Sequence, residues 1–146
     1  MPLRQPQDYD VCVVGAGFAG LCCAEAAAAR GARTLVLERQ SAPGDRPRTT
    51  GILVKEIADA WDFPARLTRR IHGVRLYSPA LDYLDLTSPG YYFLATDTPG
   101  ILRWLGERAA QAGATIAGDR PYRGAEREAA GIRLAGHDLR CRYLVG

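Results

Sequence analysis

The feature that most constrains this chain is the join at residues 11–20, VCVVGAGFAG. There an apolar, partly β-branched run of strand length closes on Gly15, Ala16, Gly17, Phe18, Ala19 and Gly20. A G-x-G-x-x-G set between a strand and a helix is the signature of a dinucleotide-binding βαβ unit. Residues 21–30 are alanine-rich, with Leu21, Ala24 and Ala28 at helical spacing, and Gly31 stands where a glycine stop belongs. A second strand over residues 34–37 ends in Glu38. The order strand, tight turn, helix, stop, strand predicts an α/β fold with a Rossmann-like parallel sheet.

Each residue type has a chemical reason at its place. Gly15 permits the sharp turn, Gly17 lets the backbone approach a pyrophosphate, and Gly20 allows the helix to pack closely on the sheet. The amino end of the helix then offers free N–H groups and a partial positive charge to an anion. Glu38, at the tip of the second strand, is placed to accept hydrogen bonds from ribose hydroxyls and to repel a 2′-phosphate. The same pattern in another setting is a structural βαβ turn, but the strand, the glycine stop and the acid all fall at fingerprint spacing.

Composition narrows the remaining classes. A chain of 146 residues with 47% apolar content is large enough for one domain with a core. The net charge of +3 is small and the basic residues are dispersed, which argues for a solvated mixed-charge surface and against nucleic-acid binding. Lys55 is the only lysine among 19 basic residues, a compositional bias. Cys12, Cys22, Cys23 and Cys141 form no C-x-x-C pair and have no histidine partner nearby, so they read as reduced core residues and no metal ligand is nominated. With no apolar signal-type stretch in MPLRQPQDYD and no 18-residue apolar span, a cytoplasmic protein without a membrane span is expected.

Residues 40–51, QSAPGDRPRTTG, read as a loop leaving the carboxyl edge of the sheet, followed by a short helix around residues 53–60. Arg46, Arg48 and Thr50 either face a cofactor there or sit exposed in the loop. From Gly73 the pattern turns to strands, with residues 83–87, Ser88-Pro89-Gly90 as a type II turn, and residues 91–95 reading as an inserted hairpin. Its aromatics, Tyr77, Tyr83, Tyr91, Tyr92 and Phe93, line a substrate pocket or pack a sheet face. Thr98 as N-cap and Pro99 at the first helical position start a second helix, whose apolar face is Leu102, Leu105, Ala109 and Ala112 and whose stop is Gly113. A short strand at 114–117, an antiparallel meander at 122–135 and a last strand at 141–145 complete the chain. His72 and His137 lack identifiable partners in the sequence, and no acid, base or nucleophile is nominated as catalytic.

The segments YDVCVVGAGFAG, LVLER, RTTGILVKE leading to GVRLYSP, and ILRWLGERAAQAGATI before RYLVG occur together in this order. In this the chain resembles the amino-terminal, FAD-binding part of geranylgeranyl reductase-like flavoproteins, within the superfamily that includes the aromatic hydroxylases. The resemblance implies a single FAD/NAD(P)-binding domain over residues 1–146, incomplete, with about 73–97 as an inserted β segment of the substrate side. It implies that Gly15, Ala16, Gly17, Phe18, Ala19 and Gly20 hold the FAD pyrophosphate, Glu38 the adenosine ribose, Arg39 the adenine side, and Arg103 the phosphate-ribityl part. In a complete enzyme, electrons would pass from NAD(P)H through FAD to an apolar small-molecule substrate or oxygen. Two departures stand out: Thr50-Gly51 occupies the place where such reductases often carry Cys-Gly, and the Ala-Asp-Gly and Gly-Asp motifs expected after RYLVG are not among these residues. An NAD-binding domain and a truncated, non-catalytic dinucleotide module are the rival readings.

Overall fold

The structure, a computed structural model, describes residues 7–146. The segment MPLRQP, read above as lacking a signal-type stretch, lies outside the described residues. The described chain divides into two compact units, one of residues 7–47 with 102–146 and one of residues 48–101.

The first unit is built on the predicted βαβ. Strand β1 (Gln7–Val14) leads through the glycine turn into helix α1 (Phe18–Ala28), which returns to β2 (Thr34–Leu37). Leu21, Ala24 and Ala28 are the buried residues of α1, the face anticipated from their spacing. Gly31, at φ 83°, closes the helix: its N–H bonds Ala28 O at 2.8 Å and the Ala32 N–H bonds Ala27 O at 3.2 Å. This paired arrangement needs a left-handed residue, hence the glycine.

Among the described residues the unit holds one six-stranded sheet, ordered β8-β2-β1-β11-β10-β9, where β8 is Thr115–Ala117, β9 Ala125–Glu128, β10 Gly131–Leu134 and β11 Leu139–Val145. The pairs β8-β2, β2-β1 and β1-β11 are parallel, and β11-β10 and β10-β9 are antiparallel. All four residues of β2 are buried, as a parallel strand covered on both faces requires. Cys12, Leu35, Leu37, Leu134 and Cys141 form the core of one face, with Ala125 and Ile132 of the meander packed against it. Leu105 and Ala109, on the part of helix α3 (Thr98–Gln111) that belongs to this unit, are almost fully buried. Each large aliphatic side chain buried this way contributes about 1.5–3 kcal/mol relative to exposure.

The second unit departs from the expected hairpin. Residues 83–87 do form a strand, β6 (Tyr83–Thr87), but it pairs with β5 (Gly73–Tyr77) and not with residues 91–95. The expected type II turn is present, with Gly90 at φ 73° and the Tyr91 N–H on Ser88 O at 3.1 Å. It carries the chain into a different sheet, where β7 (Phe93–Thr96) lies between β3 (Ile52–Val54) and β4 (Thr68–Ile71). The β5-β6 register is fixed by cross-strand chemistry: Arg75 donates twice to Asp85, at 2.6 and 2.8 Å, and Tyr77 faces Tyr83. The short helix α2 (Lys55–Ala60) begins after Val54, because residues 52–54 are claimed by β7.

The second helix start is also corrected. Asp97, not Thr98, is the cap: its Oδ1 accepts the Gly100 N–H at 3.2 Å and its carbonyl accepts the Ile101 N–H at 2.8 Å. Aspartate caps at least as well as threonine, and the register shifts by one residue. The Thr98 hydroxyl instead meets the Thr96 hydroxyl at 3.1 Å.

Candidate functional site

The glycine turn joins β1 to α1 at the carboxyl edge of the parallel sheet, where open α/β folds bind ligands. Gly15 has φ 94°, a conformation costly for any residue with a Cβ, and its N–H bonds Leu37 O at 2.8 Å. A Cβ on Gly20 would stand 2.1 Å from the Gly15 carbonyl oxygen, so only glycine lets the helix start lie on the turn. Gly17 differs from both. It caps α1 with φ −84°, and a Cβ there would meet nothing within 4 Å.

Among the described residues the space above Gly17 is therefore open, and no side chain caps this helix end. Phe18 and Ala19 open the first turn, which carries no acidic residue. Uncapped N–H groups with the positive end of the helix dipole form a cradle for an anion.

Glu38 completes the geometry. It follows β2, is half-buried, and its Oε2 accepts the Ala16 N–H at 2.7 Å. Its Oε1 accepts the Gln40 N–H at 2.8 Å. Each oxygen thus has one fixed donor and a lone pair to spare, so the carboxylate is oriented before any ligand arrives. The Glu38 backbone is held as firmly, its N–H on Ala117 O at 2.9 Å and its carbonyl accepting the Arg120 N–H at 2.8 Å.

The other nominated residues fall into separate places. Arg39 is exposed beside Glu38. Arg103 is exposed on α3, and its charge helps to hold the Asp45 carboxyl below the ordinary carboxylate range, after the larger effects of hydrogen bonds from Ser41 and Ala42. Arg48 and Thr50 belong to the second unit and are exposed.

That unit has its own polar cluster. Tyr92 is buried, its hydroxyl donates to Asp59, and Arg70 lies 4.5 Å from its ring centroid. The hydrogen bond to Asp59, then burial, raises the Tyr92 pKa. Lys55 also pairs with Asp59. A cavity of about 350 Å³ nearby is lined by Trp61, Phe63, Thr68, Arg70, Tyr92 and Leu94, among others. Tyr77 and Tyr83 are by contrast exposed on the hairpin.

The histidines have partners that the sequence did not reveal. His137 Nε2 lies 3.0 Å from Pro121 O, and the His72 ring tilts against Tyr92 with centroids 6.2 Å apart. Burial pushes the Cys12 thiol up to about 12, with the neighbouring Cys141 adding to the shift. Burial raises Cys22 and Cys141 as well. All four cysteines are free.

The sheet, the glycine turn, the open helix end and the oriented acid define a Rossmann-like dinucleotide-binding fold. Residues 10–141 match the FAD-dependent oxidoreductase family, and the chain belongs to it. It is similar to a geranylgeranyl bacteriochlorophyll reductase-like protein from Thermoplasma acidophilum, at 26% identity and TM-score 0.75 over 94% of this chain and 38% of that one. It is also similar to the anhydrotetracycline hydroxylase OxyS from Streptomyces rimosus, at 26% identity and TM-score 0.67 over 96% of this chain and 31% of that one. P. aeruginosa PqsL, solved with 2-aminobenzoylacetate, shares the fold at 22% identity and TM-score 0.68, over 96% of this chain and 42% of that one. The chain thus spans well under half the length of these solved proteins. Among the described residues, no helix is long and apolar enough to cross a membrane.

Proposed function

We propose that residues 15–20 and the amino end of α1 hold the pyrophosphate of FAD, with Glu38 accepting the adenosine ribose hydroxyls. The observation that carries this reading is the Glu38 carboxylate, tied to Ala16 at 2.7 Å and set beside an uncapped helix end with open space over Gly17. The residues present fit the adenosine diphosphate half of the cofactor: an anion cradle, a close-approach glycine and a pre-oriented ribose acceptor. Arg39 flanks the adenine, and Arg103 supplies a donor pair to the phosphates.

Within a whole flavoprotein, the bound flavin supplies two-electron chemistry between NAD(P)H and an apolar substrate or oxygen. The residues of this chain bind and orient the nucleotide end, and none of them is assigned to proton transfer. The free cysteines, two of them buried, support a reducing, cytoplasmic setting.

The reading is tested by incubating purified chain with FAD or with NAD and removing free ligand by ultrafiltration. Retention of yellow FAD, displaced by ADP, is the expected result. Colourless protein that retains NAD but not FAD overturns it in favour of an NAD-binding domain.

A further inference from the structure

We infer that Gly118 is a positioning residue for the ribose-binding carboxylate, acting through the segment after β2 without touching the nucleotide. This rests on the reading of Glu38 given above.

Glu38 is oriented by two backbone donors, and one of them, the Gln40 N–H, belongs to the segment that follows β2. That segment is held by the tip that follows β8. The Asp119 N–H donates to Gln40 O at 2.8 Å, and the Arg120 N–H donates to Glu38 O at 2.8 Å. Between these two contacts and β8 sits Gly118, pressed on the opposing backbone. A Cβ there would lie 1.9 Å from Ser41 O, 2.7 Å from Ser41 C and 3.1 Å from Gln40 O. Every one of these is a backbone atom, so no side-chain rotation relieves the clash.

Gly118 is not among the positive-φ glycines, whereas the next residue, Asp119, is left-handed at φ 53°. Backbone conformation therefore does not require glycine at 118. The requirement is the close approach itself, which brings Asp119 N–H within reach of Gln40 O and so holds the Gln40 N–H under Glu38. Adding one methyl group forces residues 40–41 away from 118–119. The Gln40 donor moves with them, and Glu38 keeps only its bond to Ala16.

The consequence is specific to the ribose. Loosening Glu38 leaves the glycine turn and the helix end, which hold the phosphates, as they were. The experiment compares ADP with 2′,3′-dideoxy-ADP, by calorimetry, on the whole chain. Wild type is expected to prefer ADP by about tenfold or more, the size of hydrogen bonds to a charged group. In Gly118→Ala the preference is expected to fall to about twofold or less, with dideoxy-ADP affinity little changed. Asp119→Val strains the left-handed residue without crowding Ser41, and is expected to lower the preference by a smaller factor. It decides the matter if Gly118→Ala does not fold. In an Glu38→Ala background, Gly118→Ala is expected to have no further effect on the preference.

A merely structural role lowers both affinities in parallel and leaves their ratio intact. An unchanged ratio in whichever variants fold overturns the inference. Failure of wild type to bind ADP, or to prefer it over the dideoxy form, overturns instead the reading of Glu38 on which the inference stands.

Discussion

The carboxylate of Glu38 reaches back across 22 positions of sequence to the Ala16 backbone, accepting its N–H at 2.7 Å. This one contact joins the second strand tip to the glycine turn. It also engages the Ala16 N–H, so in the proposed site Gly15 and Ala16 shape the turn and N–H donation to a phosphate falls to the groups from Gly17 onward. Replacing Glu38 by alanine frees both the Ala16 and Gln40 donors and deletes the proposed ribose acceptor. The expected outcome is at least a tenfold loss of ADP affinity, measured by calorimetry, since hydrogen bonds to a charged group contribute about 1.5–3 kcal/mol.

Gly17 and Gly20 are expected to separate binding from folding. Gly20→Ala places a Cβ 2.1 Å from Gly15 O and should cost about 1–3 kcal/mol of stability, read from the urea midpoint. Among the described residues, beyond its chain neighbours, the Gly17→Ala methyl meets nothing within 4 Å, so its stability cost should stay at about 1 kcal/mol or less, that of a changed cap. Its methyl group points into the open space over the helix end, and FAD affinity is expected to fall all the same.

Much of this arrangement was legible in the sequence because it depends on local rules. Gly15, Gly20, Gly31 and Gly113 stand where turns, close packing or helix stops demand glycine, and Gly113 indeed takes φ 105°. The buried face of α1 followed from its spacing. Pairing between distant strands was less legible. The residues of β7 look as well suited to β6 as to β3 and β4, and the deciding information lay in the Arg75–Asp85 and Tyr77–Tyr83 pairs, which tie β6 to β5. Strand β4, TRRI, was missed because two exposed arginines mask its alternation. The ties of Glu38 to Ala16 and Gln40 were invisible, since a side chain's backbone partners depend on a turn whose geometry the sequence does not print.

The thiols make a pH prediction. Cys12 titrates near 12 in the folded chain against 9.0 for its unperturbed value, so the unfolded state loses this proton first as pH rises. Its contribution to stability is complete below pH 9 and is lost between about 9 and 12, at up to about 1.4 kcal/mol per pH unit. Urea unfolding at pH 8 and pH 10 should show a steeper decline in wild type than in Cys12→Ala. Alkylation of Cys12 at pH 8 should require unfolding.

Helix α1 and the part of α3 that belongs to the first unit are tied by a surface pair. Arg108 donates to Glu25 through Nε at 3.1 Å and Nη2 at 2.6 Å, and its guanidinium lies 4.9 Å from the Trp104 ring centroid. Both side chains retain solvent contact, so Arg108→Ala is expected to cost only about 0.5–1 kcal/mol in the urea midpoint. A loss of several kcal/mol would mean that this contact organises the packing of α3 on α1 and does not merely decorate it.

The decisive quantity is which half of the cofactor the chain binds. Titrating the whole chain with FAD, and then with ADP as competitor, measures that by flavin fluorescence. The expected result is saturable FAD binding that ADP reverses completely, with 2′-phospho-ADP a markedly weaker competitor because its extra phosphate meets Glu38. FAD binding that ADP cannot displace, or that 2′-phospho-ADP displaces equally well, would contradict it.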